Sequence, residues 1–114
     1  MRYIDTHTHL DFAAFDPDRD AVLDDCLQLG VERLVLGVAV SNWQKVWQLT
    51  QQQPMLHAAF GLHPMFCAEH QPQHLDQLRQ QLQNCSGHRQ LCAVGEFGLD
   101  FYLDNTDRDA QQQL

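Results

Sequence analysis

Leu34-Val35-Leu36-Gly37-Val38-Ala39-Val40 is the stretch whose reading decides the fold. It is a continuous apolar run with no alternation, which is the pattern of a parallel strand covered on both faces. Parallel strands need crossover connections, so helical segments are expected on either side. Upstream, Val22, Cys26 and Leu29 fall at helical spacing and Gly30 follows them, with Asp16-Pro17 as the expected cap and first helical residue. Downstream, Ser41-Asn42-Trp43-Gln44 has the form of a capping box. Trp43, Val46 and Trp47 supply the apolar face of a second helix, with both tryptophans expected in the core, and Pro54 closes it.

The same alternation extends to both sides. A first strand starts at Arg2 and runs into a pair of histidines. Met55 to Leu62 reads as a third strand, and a helix from about Pro72 carries the stripe Leu75, Leu78, Leu82, its many Gln facing water. Leu91 to Glu96 reads as a fourth strand after a turn at Ser86-Gly87, and a fourth helix is expected from near Thr106. Four β/α units in a row predict an α/β fold with a parallel sheet. Two shapes fit: an open doubly wound sheet, or part of a (β/α)8 barrel, where about 31 residues per unit would make this chain a little under four units.

The 114 residues suffice for one domain with a real core, and 44% hydrophobic with 19% charged residues argues for a globular chain over a disordered one. No apolar run approaches the length of a membrane span, and the N-terminus lacks the pattern of a signal peptide, so the cytoplasm is the expected compartment. Cys26, Cys67, Cys85 and Cys92 have no metal-site spacing and are expected as free thiols, several in the core. The net charge of −8 excludes a broad basic grip on a nucleic-acid backbone. It leaves room for a phosphate substrate if bound cations supply the positive charge.

The chemistry concentrates at the strand ends. In Asp5-Thr6-His7-Thr8-His9, strict strand alternation would point residues 5, 7 and 9 to one side, neighbours about 6.5–7 Å apart. Two imidazoles at that spacing can converge on one metal ion, with Asp5 orienting a ligand or lining the site. His63 ends the third strand and Glu96 the fourth. In α/β folds the carboxyl ends of strands carry ligands and chemistry. His70 and His74 share a helical spacing without a third ligand and are expected to be exposed. His57, within the third strand, is expected in the core, and His88 in solvent.

Three ordered motifs then carry a resemblance. Asp5-Thr6-His7-Thr8-His9-Leu10-Asp11, Gly61-Leu62-His63-Pro64 and Gly95-Glu96-Phe97-Gly98-Leu99-Asp100 resemble the signatures of TatD-type metal-dependent deoxyribonucleases, which belong to the amidohydrolase-like metal hydrolases. The resemblance covers the whole chain. It implies a (β/α)8 barrel of TIM type, with residues 1–114 forming its N-terminal half. It implies a two-metal centre and hydrolysis of DNA phosphodiesters, often from the 3′ end. His7 and His9 would hold the first metal, Glu96 would bridge both and be catalytic, and His63 would lie near the substrate phosphate. Imidazole ligands favour Zn or Mn, while the family resemblance admits Mg. Phe101-Tyr102 resembles an aromatic pair of the family, and Leu103 stands where a basic residue is frequent.

The family's remaining ligands, two His and an Asp on later strands, have no counterpart within these residues. The chain by itself is therefore expected to be poorly active. Its first and fourth strands would be open edges inviting self-association, which light scattering would detect. Two other functions share part of the pattern. PHP-type phosphoesterases of small phosphomonoesters also begin with an Asp-x-His-x-His strand, and a half-barrel could serve as a non-catalytic assembly piece. The Gly-Glu-Phe-Gly-Leu-Asp segment favours the deoxyribonuclease.

Overall fold

The computed structural model describes residues 1–37, 39–102 and 107–113. Strands and helices alternate as β1 (Tyr3–Thr8), α1 (Arg19–Gln28), β2 (Val31–Leu36), α2 (Trp43–Gln52), β3 (Leu56–Phe60), α3 (Gln73–Asn84), β4 (Leu91–Val94) and α4 (Arg108–Gln113). Single 3₁₀ turns at Ala13–Phe15 and Val40–Asn42, and a longer one at Pro64–Glu69, follow the first three strands. Among the described residues all strand pairs are parallel and the order is β1-β2-β3-β4. Each new strand adds to the same side of the last. A doubly wound sheet would reverse direction at a switch point, so this order is that of a barrel wall.

The helix-facing side of the sheet forms the core. Leu34 and Leu36 of β2 and Leu56, Ala58 and Phe60 of β3 are buried there against Leu23, Trp43 and Val46. Trp43 and Trp47 both pack edgewise or tilted on Phe60, and the Trp43 indole N–H donates to the Gly61 carbonyl at 3.1 Å. The opposite side is a concave trough of about 540 Å³, lined by Ile4, Arg33, Val35, His57, Ala59 and Val94 among others. The β2 run is thus covered on one face only. β1 and β4 are exposed along most of their length, the open edges expected of an unclosed barrel wall.

Several local expectations give way to longer-range contacts. β2 ends at Leu36, not Val40, because Gly37 turns at φ +138° and any Cβ there would stand 1.9 Å from the Ala59 carbonyl oxygen. Val38 lies outside the described residues. α1 starts at Arg19 rather than Pro17, since the Asp16 carboxylate is taken by Arg19 and by Lys45 Nζ at 2.8 Å. Leu23 is the buried anchor of α1, and Leu29 is 75% exposed. Ser41 makes no cap hydrogen bond, as the 3₁₀ turn carries the chain into α2 at Trp43 instead. On α3, Leu78 and Leu82 reach the core while Leu75 is exposed. The start of α4 near Thr106 lies outside the described residues.

All four cysteines are free, but only Cys85 is buried. Cys92 faces the trough, its Sγ 3.3 Å from the Ala58 carbonyl oxygen. His57 also faces the trough and not the core, because alternation along β3 gives Leu56, Ala58 and Phe60 to the helices. No described helix is long and apolar enough to cross a membrane.

Candidate metal centre

The carboxyl end of β1 is not a regular strand. Asp5 pairs with Leu34 and Thr8 with Leu36, three residues against two, so the strand bulges. The Asp5 carboxylate accepts the His7 backbone N–H at 3.0 Å and braces the irregularity. Strict alternation of residues 5, 7 and 9 is thereby overturned. Asp5 does not line the trough, whereas the adjacent residues Thr6 and His7 both do. The bulge still delivers the two imidazoles together, with ring centroids 4.8 Å apart and nearly perpendicular. His9 is flanked on its other side by Phe12 at 5.0 Å.

The loop that follows is clamped from below by Arg19, which sequence reading passed over. Its buried guanidinium donates to the Leu10 carbonyl at 2.6 Å and the Phe12 carbonyl at 3.1 Å. Buried Asp11 accepts from Asn42 Nδ2 at 2.8 Å, tying this loop to the start of α2. Burial pushes the Asp11 carboxyl above the usual carboxylate range, against its own backbone hydrogen bond and the Asn42 amide.

His63 and Glu96 reach the same place through glycines. The Gly95 N–H donates to the Phe60 carbonyl at 2.7 Å, and a Cβ on Gly61 would lie 2.4 Å from the Glu96 carbonyl oxygen. Only bare backbone lets the ends of β3 and β4 approach this closely. His63 is buried, and its Nδ1 accepts the Met65 N–H at 3.0 Å. A neutral His63 therefore carries its proton on Nε2, which sits 2.7 Å from Glu96 Oε1. The second carboxylate oxygen, Glu96 Oε2, is 3.3 Å from His7 Nε2. That approach is not a hydrogen bond. Glu96 Oε2 and His9 Nδ1 are both buried without a hydrogen-bond partner.

The structure thus brings His7, His63 and Glu96 into one cluster with His9 against it. Among the described residues, no three His, Cys, Asp or Glu side chains already surround a single point. Beyond Glu96, Tyr102 is 89% exposed and Phe101 lies under the Arg108 guanidinium at 5.0 Å. Leu103 lies outside the described residues. His88 is exposed, as expected, its ring against Trp47.

His70 is a correction: it is buried with neither ring nitrogen hydrogen-bonded, because the turn closed by its N–H to the Cys67 carbonyl folds it inward. Burial holds its pKa below the ordinary imidazole value, and burial does the same for His57, helped by Arg33. The unfolded chain then binds these protons first. Stability is expected to be full above about pH 6.5 and to fall as pH drops below it, by up to about 1.4 kcal/mol per unit of pKa depression. Urea midpoints at neutral and mildly acid pH should show a shallower fall in His70→Gln. An unchanged slope would remove His70 from the account.

The family model described as TatD related DNase matches residues 4–114. The chain belongs to the TatD-related DNase family. It is 37% identical over 114 residues to "Uncharacterized metal-dependent hydrolase YjjV" of Escherichia coli K12, covering 99% of this chain and 43% of that protein. It is 32% identical over 123 residues to "Putative deoxyribonuclease tatdn3" of Danio rerio, covering 98% of this chain and 46% of that protein. The crystal structure of the E. coli TatD homologue YjjV superposes with a TM-score of 0.88 at 37% identity, over 99% of this chain and 43% of the other. The chain therefore spans less than half the length of these relatives. Its four β/α units correspond to the first four of a TIM-type barrel.

Proposed function

We propose that this TatD-family chain provides the opening half of a divalent-metal hydrolase that cleaves DNA phosphodiester bonds, working from the 3′ end. The observation that carries this reading is the meeting of three strand ends, with two buried atoms of metal-ligating type left unspent, Glu96 Oε2 and His9 Nδ1. An anionic oxygen and an imidazole nitrogen in that state are costly unless something of positive charge completes them. The donor set fits a divalent ion, Zn, Mn or Mg, and two such ions in the complete site. His7 and His9 would hold the first, and Glu96 would bridge to the second. Bound there, the metal would lower the pKa of water and neutralise phosphate charge that this chain of net charge −8 cannot.

The rest of the work falls to side chains. Glu96 separates its two oxygens: Oε1 is committed to His63, leaving Oε2 for the cation. His63 carries its single proton on Nε2, held in that tautomer by the Met65 N–H; the proton orients Glu96 Oε1, and it would reach a phosphate oxygen only by leaving that acceptor. Its Nδ1 is occupied and cannot serve as a ligand.

The test is metal-dependent release of nucleotides from single-stranded DNA labelled at either end, together with calorimetric titration of Mn or Zn. His7→Ala is expected to weaken metal binding at least tenfold. The 114-residue chain alone should bind metal yet turn over slowly, with only two imidazoles and one carboxylate to hold it. Hydrolysis of small phosphomonoesters with no DNA cleavage would move the assignment to a PHP-type phosphoesterase. Binding that His7→Ala leaves intact would sink the metal site itself.

A further inference from the structure

We infer that Phe12 is a substrate-binding residue: its exposed ring, set against His9, stacks the nucleobase of the nucleotide being released. The inference deepens the hydrolase reading and rests on it. Along the turn after β1 the apolar side chains divide. Leu10 is buried in the core and Phe15 packs against it, whereas Phe12 joins neither and is 37% exposed. Its ring lies beside the metal centre instead, 5.0 Å from the His9 ring and tilted 30° from its plane. One flank of the phenyl therefore meets the imidazole and the rest faces solvent. Phe66 lies against the other site imidazole, His63, at 5.6 Å, but edge-on and less exposed.

The backbone under this ring is held at both of its polar groups. The Phe12 N–H donates to the His9 carbonyl at 3.0 Å, and the Phe12 carbonyl accepts from the Phe15 N–H at 3.0 Å and from Arg19 Nη2 at 3.1 Å. A contact fixed in advance loses little freedom on binding. The net charge of −8 says why such a contact matters here. Arg19 and Lys45 are both paired with Asp16, so neither is free for a phosphate. A base offers an apolar face that binds without charge, and stacking it on an aromatic ring raises affinity about 5–150-fold. One sugar joins a base to its own phosphate. A ring against a metal ligand is therefore close to the base whose phosphate the metal would meet.

The probes are a short single-stranded oligothymidylate and the same strand with an abasic residue at its 3′ end, so that both present the same phosphates. Binding is read by fluorescence anisotropy in excess Mn. The wild-type chain is expected to bind the intact strand about 5–150-fold more tightly. That ratio should hold at low and high salt, because the shared phosphates carry the salt dependence. Phe12→Ala should bring the two affinities together and Phe12→Trp should keep them apart, with Mn affinity by calorimetry as in wild type. Equal affinity of the wild-type chain for the two strands, or no binding of either, would overturn the inference, and this needs no variant to fold. So would a Phe12→Ala chain that loses Mn affinity yet keeps the base preference, since the ring would then serve only to orient His9. Base-dependent binding with no DNA cleavage refutes the nuclease reading alone, and cleavage with base-independent binding refutes the role of Phe12 alone.

Discussion

On the proposed DNA-hydrolase reading, Glu96→Gln is expected to leave the fold intact and to lower metal-dependent DNA hydrolysis by about a thousandfold. The substitution conserves shape. Its amide oxygen can still accept from His63 Nε2, now 2.7 Å from Glu96 Oε1. The other end changes sign of action: an NH₂ group replaces the buried Oε2, 3.3 Å from His7 Nε2, and presents hydrogens where a cation would need an oxygen. Removing one preorganised electrostatic contact typically costs about 10²–10³ in rate, and loss of bridging charge adds to that. Because Glu96 is only partly buried, stability should move by no more than about 0.5 kcal/mol. The checks are single-turnover cleavage, metal stoichiometry and urea denaturation on the same protein. Cleavage within tenfold of wild type, at equal metal loading, would remove Glu96 from the chemistry.

Gly61→Ala is expected to damage fold and site together. The added methyl would lie 2.4 Å from the Glu96 carbonyl oxygen, 2.7 Å from the Gly95 carbonyl carbon and 2.9 Å from the Glu96 nitrogen. All three are backbone atoms of the segment that carries the carboxylate, so no flexible side chain can yield. The ends of β3 and β4 must separate, which costs about 1–3 kcal/mol as overpacking and moves Glu96 away from His63. The Trp43 indole bond to the Gly61 carbonyl is strained by the same shift. Denaturant titration should show the stability loss, and metal affinity should fall in parallel. Full metal affinity in a destabilised protein would mean that the glycine serves packing alone.

Most of the architecture was legible because periodicity is local. The apolar run at Leu34–Leu36, the stripes of α2 and α3 and the spacing of the units predicted four parallel strands. The sequential strand order then chose a barrel wall over a doubly wound sheet. Boundaries were less legible wherever a distant group decided them. Asp16 looked like a helix cap but is held by Lys45, and Ser41 looked like one but the 3₁₀ turn displaced it. His70 looked exposed by its spacing, yet the turn from Pro64 buried it.

Residue chemistry at the strand ends is written in the chain. Two imidazoles, a third after the next glycine turn and a carboxylate between glycines pointed to a metal site, since ligand preference is a property of the side chain alone. What each atom is free to do was decided only by the fold. The bulge braced by Asp5, the tautomer of His63 set by the Met65 N–H, the division of labour between the Glu96 oxygens and the burial of Asp11 are all set by folded backbone geometry and packing, not by residue type. Hydrogen-bond capacity is spent in three dimensions, and only the packed structure shows which lone pairs and protons remain.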